Sequence, residues 1–196
     1  RMVFFLRAIP VDCLRSACDL FDQAVLQGLQ SITYYKFDDN AIIQSSLRLA
    51  NGGLGLRKSK QHHPAAYYAS FRQSRDLICG FTTSLDWNNM SHFASARTKL
   101  SETLPDFKVE DSSTQRDLSA RIDLLQKERL FNSFDGSRNK ARLNAVSAPR
   151  ASAIFSCFPS SKIGYGLTSD EWNVTGKKFG VEAISRIIPL SRTWMQ

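Results

Sequence analysis

Apolar positions along this chain recur mostly at intervals of three and four residues, the period of a helix with one buried face. Leu14, Cys18, Phe21, Val25, Leu29 and Ile32 form such a stripe behind Pro10, an early helical residue. The opposite face holds Asp12, Asp19, Gln23 and Gln30 and is expected to be solvated. Residues 2–8 read as the end of an earlier helix. Asp38, Asp39 and Asn40 offer an N-cap for a short helix near 41–46. Pro64, taken as a first helical position, predicts a helix of roughly four to five turns. Tyr67, Phe71, Ile78 and Phe81 form its core side, and Tyr68, Arg72 and Arg75 lie about 100° away. Phe93, Ala96, Leu100 and Leu104 mark another helix, stopped by Pro105. Residues 105–113 read as a linker. Thr114 and Asp117 resemble a capping pair for a long helix to Phe134, with Leu118, Ile122 and Leu125 as its stripe. Asp123 and Lys127 form a four-residue pair on it. A short basic helix follows with Arg138, Lys140 and Arg142. Pro149 opens a further helix to about Phe158. Thr168 with Glu171 caps a last one, which buries Trp172, Phe179, Ala183 and Ile187 and closes at Pro189. No convincing alternating run appears. The expected fold is mostly α, a multi-helix bundle.

Charge sharpens this picture. The 196 residues carry a net charge of +8, unevenly spread. Residues 47–75 hold six Lys/Arg and no acidic residue, whereas residues 101–135 hold eight Asp/Glu against five Lys/Arg. Residues 136–196 hold nine Lys/Arg against Asp170, Glu171 and Glu182. Basic zones of this kind point to nucleic acid or an anionic surface. With 42% hydrophobic residues and 13 phenylalanines the chain can build a core, which argues against disorder. Three regions are expected, 1–85, 86–135 and 136–196. No apolar run is long enough to span a bilayer, so no membrane partner is expected. The start, RMVFFLRAIP, is too short and too interrupted for a signal peptide. Cys13, Cys18, Cys79 and Cys157 contain no C-x-x-C pair. Cys13 and Cys18 should point apart on one helix, so free thiols in a reducing compartment are expected. The expected location is intracellular, with the nucleus among the compartments open to it.

No complete catalytic constellation is present, and neither a metal nor a cofactor is expected. His62 and His63 are adjacent and should face opposite ways on an extended segment, with His63 flanking the Pro64 helix. Asp38 and Asp39 mimic the paired carboxylates of a polymerase, but Lys36 occupies the place of the required aromatic, and capping is the better role. The stretch Leu47–Arg75 carries the binding expectation. Gly52, Gly53 and Gly55 permit φ > 0 and could let loop N–H groups approach a phosphate. Arg57, Lys58, Lys60, Arg72 and Arg75 would supply phosphate contacts, with Tyr68 as a stacking or sugar contact. Two plainer readings stay open: the glycines form a packing turn, and the arginine strip is a solvated basic face.

GGLGLR at Gly52–Arg57 followed by HPAAYYASF at His63–Phe71 resembles the segment after the polymerase core of non-LTR retrotransposon reverse transcriptases. The same order appears in Leu6 to Pro10, Phe21-Asp22 and Gln44 to Leu47. ARLNAVSAPRASAIFSCFP, from Ala141, is similar to a later stretch of that family, with Phe155 where tryptophan is expected. DEWNVTGKKFGVEAISRI resembles its last helix before a cysteine/histidine knuckle. The resemblance implies a thumb and post-thumb region that grips a template–product duplex without doing the chemistry. Palm and fingers would lie upstream and the knuckle downstream. The expected function is therefore a non-catalytic helical fragment that holds an RNA or RNA–DNA duplex. The alternatives are a freestanding helical protein-interaction module and a decayed retroelement remnant without activity.

Overall fold

The structure, a computed structural model, describes residues 2–33, 36–81, 90–108, 114–149 and 151. Among these the regular structure is all helical, with no strand. The α-helices are α1 Met2–Ala8, α2 Val11–Thr33, α3 Asp39–Ser46, α4 Ser59–Cys79, α5 Ser91–Thr103, α6 Gln115–Ser133 and α7 Ser137–Val146. A short 3-10 turn, Leu49–Asn51, precedes the glycines. Cys157 and the helices expected after Pro149 lie outside the described residues. The chain forms two compact units, Arg1–Ala24 with Arg57–Leu125, and Val25–Leu56 with Gln126–Gln196. Each unit joins segments distant in sequence.

Local signals set several boundaries as expected. Asp38 caps α3, its Oδ1 accepting the Ala41 N–H at 2.7 Å. Thr114 and Asp117 form a reciprocal cap on α6. The Asp117 N–H donates to Thr114 Oγ1 at 3.3 Å, and Asp117 Oδ2 accepts the Thr114 N–H at 3.0 Å. Pro64 is different. The helix begins at Ser59 and Pro64 lies inside it. The reason is a tertiary cap. Asp22 of α2 accepts the Ser59 N–H at 2.7 Å and the Lys60 N–H at 3.1 Å. A remote carboxylate thus does what no local residue does, since Lys58 at the N-cap position makes no side-chain bond.

The first unit is organised around the first half of α4, where every residue from His62 to Ala69 is buried. Ala65, Tyr68 and Ala69 meet Phe93, Leu100, Leu104 and Phe107 from the α5 side and Leu118 and Ile122 of α6. Ala66 meets Leu6 of α1 and Cys18 of α2, while Tyr67 meets Val11 and Ala96. Alanines at three of these positions allow neighbours to approach on several sides at once. The rings of Tyr68 and Phe93 stack with centroids 5.1 Å apart, and Phe107 meets Tyr68 edge-on at 5.2 Å. The far end of α4 emerges from this packing, with Leu77 71% and the following Phe81 86% exposed. Phe81, expected on the core side, is therefore a surface residue.

In the second unit Leu47, Leu130, Phe134, Leu143 and Val146 form the core. The glycine turn sits within it. Gly52 adopts φ +81°, and a Cβ there would come within 2.6 Å of Val146 Cγ2. Gly53 is more constrained, since a Cβ would lie 2.2 Å from the Leu47 carbonyl oxygen. Gly55, at φ +75°, has its nearest neighbour at 3.9 Å. Substitution by alanine should therefore destabilise in the order Gly53, Gly52, Gly55. Gly55→Ala should lose about 1–2 kcal/mol from left-handed backbone alone, and Gly53→Ala should lose more, because backbone itself must move. Urea unfolding of the three variants tests that order.

Candidate nucleic-acid interface

The glycine turn closes on itself. Gly52 N–H donates to Leu49 O at 3.0 Å, Gly53 N–H to Arg48 O at 3.1 Å and Gly55 N–H to Leu47 O at 2.8 Å. Leu54 and Leu56 both donate to Ser45 O at 3.2 Å, and Gln44 Nε2 holds Gly52 O at 3.1 Å. These N–H groups have spent their hydrogen bonds on the chain. Gly52 and Gly53 are also buried. The turn is a packing device, and the expected phosphate cradle of N–H groups is corrected accordingly.

The cationic residues divide as well. Arg57 Nη2 donates to Asp123 Oδ2, and Asp123 is buried on α6. Lys60 Nζ donates to Asp19 of α2 at 2.8 Å. Both acids are far away in sequence. Asp123 does not serve as an exposed helix pair for Lys127, and Asp19 does not simply face solvent. Lys58 is exposed at the start of α4. Arg72 and Arg75 lie on its outer half, about 21 Å along the axis from Lys58 for Arg72 at the helical rise. The single patch expected from sequence is therefore two sites at opposite ends of one helix. Arg75 is exposed. Arg72 is half-buried, and its Nη1 is buried with no hydrogen-bond partner. Tyr68 is 1% exposed in the core, so its ring is not open to a base or a sugar. It enters the core because α4 is covered on that side by α5 and Phe107, which a one-sided helical stripe does not anticipate.

Both histidines lie on α4 and are buried. They are helical neighbours, not residues of an extended flank. His62 Nε2 stands 3.5 Å from Asp123 Oδ1, and Nδ1 is buried without a partner. Burial first, and the nearby Arg57 charge second, lower its pKa from 6.5 to about 4. His62 is therefore neutral at pH 7, and its contact with Asp123 is not an ion pair there. His63 Nε2 lies 2.9 Å from Ile9 O, which fixes the proton on that nitrogen and leaves Nδ1 facing Cys18 Sγ at 3.9 Å. Burial raises the Cys18 thiol pKa, so the pair is a neutral thiol beside a neutral imidazole, not an activated nucleophile.

An open cleft of about 240 Å³ adjoins this pair, lined in part by Arg15, Lys60, Lys99 and Glu102. Lys60 and Lys99 are held by Asp19 and Asp12. Charges around the cleft are thus close to balance, and no anion preference follows. No group of three or more metal-ligating side chains occurs among the described residues. No helix among them is long and apolar enough to cross a membrane. No protein-family model, curated protein or solved structure matches the chain.

Two consequences are measurable. His62 binds a proton more readily unfolded than folded, so stability is full above pH 6.5 and falls as pH drops toward about 4. The loss is on the order of 3 kcal/mol, and His62→Gln should flatten that part of a pH–stability curve. Asp22→Ala should destabilise the protein by about 1–2 kcal/mol through the uncapped start of α4, whereas Gln23→Ala, exposed on the same helix, should change it by less than about 0.5 kcal/mol. Chemical unfolding at pH 7 compares the two.

Proposed function

We propose that this chain is a non-catalytic helical part of a reverse transcriptase-like protein that holds an RNA or RNA–DNA duplex by its phosphates. The observation that carries the reading is exposed Arg75 one helical turn beyond half-buried Arg72 on α4, neither with an ion pair among the described residues. Guanidinium groups at the surface are natural partners for phosphate oxygens. Lys58 adds a third cation with no ion pair among the described residues. The net charge of +8 and the lack of any acidic residue between Asp39 and Asp76 favour approach of a polyanion. Arg57 and Lys60 contribute through the fold, since each is tied to an aspartate. The order of the GGLGLR, Phe-Asp and later basic segments supports the family assignment.

A second reading is a protein-interaction module. The exposure of Phe4, Leu20, Leu77 and Phe81 favours it, because large apolar side chains are open to solvent on α1, α2 and α4 and in the turn after α4.

Fluorescence anisotropy with an RNA–DNA duplex, titrated across a salt series, decides. Lys58→Ala, Arg72→Ala and Arg75→Ala combined should flatten the log–log salt slope by up to ~2.7. An unchanged slope removes α4 as the contact surface. Salt-insensitive association with another protein, and no duplex binding at moderate salt, would favour the second reading.

A further inference from the structure

The basic helix α7 is a separate feature of the second unit. It carries Arg138, Lys140 and Arg142 and no acidic residue. Leu143 and Val146 are its buried side, held where the missing side chain of Gly52 leaves room for Val146 and Ser147. By the helical period, Arg138 and Arg142 stand about 40° apart around the axis and about 6 Å apart along it. Exposed Ala141 and Ala145 lie beside them and leave the helix backbone approachable. Lys140 departs on another side, its Nζ 5.5 Å from the centroid of the Phe131 ring.

Like Lys58, Arg72 and Arg75 of the first unit, this strip has no ion pair among the described residues, and its helix carries no acidic residue. In the first unit cations beside acids are paired: Arg57 with Asp123, Lys60 with Asp19, Lys99 with Asp12 and Arg121 with Asp106. Among the described residues, neither Arg138 nor Arg142 has an ion pair. The acids of the described part of the second unit are Asp38, Asp39, Glu128 and Asp135. Asp38 is used in capping α3, and none of these four is paired with α7. We propose that Arg138 and Arg142 form a second phosphate-contacting strip for duplex nucleic acid. This rests on the nucleic-acid reading above and adds a binding surface in the other unit.

The test uses the full chain, a 20-base-pair RNA–DNA duplex and anisotropy between 50 and 200 mM salt. Counterion release dominates under these conditions, and each phosphate no longer neutralised by the protein changes the slope by roughly 0.9. Arg138→Ala with Arg142→Ala should flatten the salt slope by up to ~1.8, and Arg138→Lys with Arg142→Lys should keep it. Arg138→Ala alone, at an exposed position, should flatten it by up to ~0.9 and covers the case in which the double variant loses helicity. An unchanged slope in the α7 variants, with a flattened one on replacing Lys58, Arg72 and Arg75, overturns this strip and leaves the α4 surface standing. The reverse pattern supports the strip and removes α4. No duplex binding by the unaltered chain overturns both. Polyglutamate competing as well as the duplex, charge for charge, also overturns the strip as a nucleic-acid contact and marks it as a site for acidic protein.

Discussion

A helix whose first half is surrounded by other helices must satisfy its polar groups inside the protein. α4 meets that constraint with carboxylates from elsewhere in the chain. Asp22 accepts two of its first N–H groups, and Asp123 lies against Arg57 and His62. With these groups met, the segment His62–Ala69 beyond can be enclosed by α1, α2, α5 and α6. Unmet, each buried N–H would oppose folding by an amount comparable to a whole hydrogen bond. The packing of the first unit depends on those two aspartates.

The same carboxylates govern the electrostatics. A run of basic residues reads as a cationic surface only if no acid folds onto it. Here Asp19 and Asp123 do, and they take Lys60 and Arg57 out of the accessible charge. Among the described residues, Lys58 at the start of α4, Arg72 and Arg75 farther along it, and Arg138 and Arg142 on α7 have no ion pair. The accessible positive charge is thus spread over separate helices.

Much of the helical layout can be read from the chain. The stripe Phe93, Ala96, Leu100 is buried on α5, and both the Asp38 cap and the Thr114–Asp117 box form. These are local devices, decided by neighbours three or four residues away. Tyr68 and Pro64 are not legible in the same way. Whether Tyr68 points to solvent depends on Phe93 and Phe107, and where α4 begins depends on Asp22. The glycines announce a turn, but their spacing says nothing of what packs on it. Val146 and Ser147 against Gly52 decide that. Asp123 is not legible either: its burial follows from a wide enclosed face of α6, on which Leu118 and Ser119 are both buried, and no sequence spacing announces that width.

The interleaving of the two units along the chain bears on how the protein is made. Everything the first unit needs has left the ribosome by Leu125, whereas Val25–Leu56 must wait for Gln126 and beyond before its own partners exist. During synthesis the α3 helix and the glycine turn are thus an excursion from a unit that can already close. Leu47 and Ile43 remain uncovered until Leu130, Phe134, Leu143 and Val146 arrive. Vectorial emergence of the polypeptide thereby leaves this apolar surface open to chaperones or to aggregation until its partners arrive.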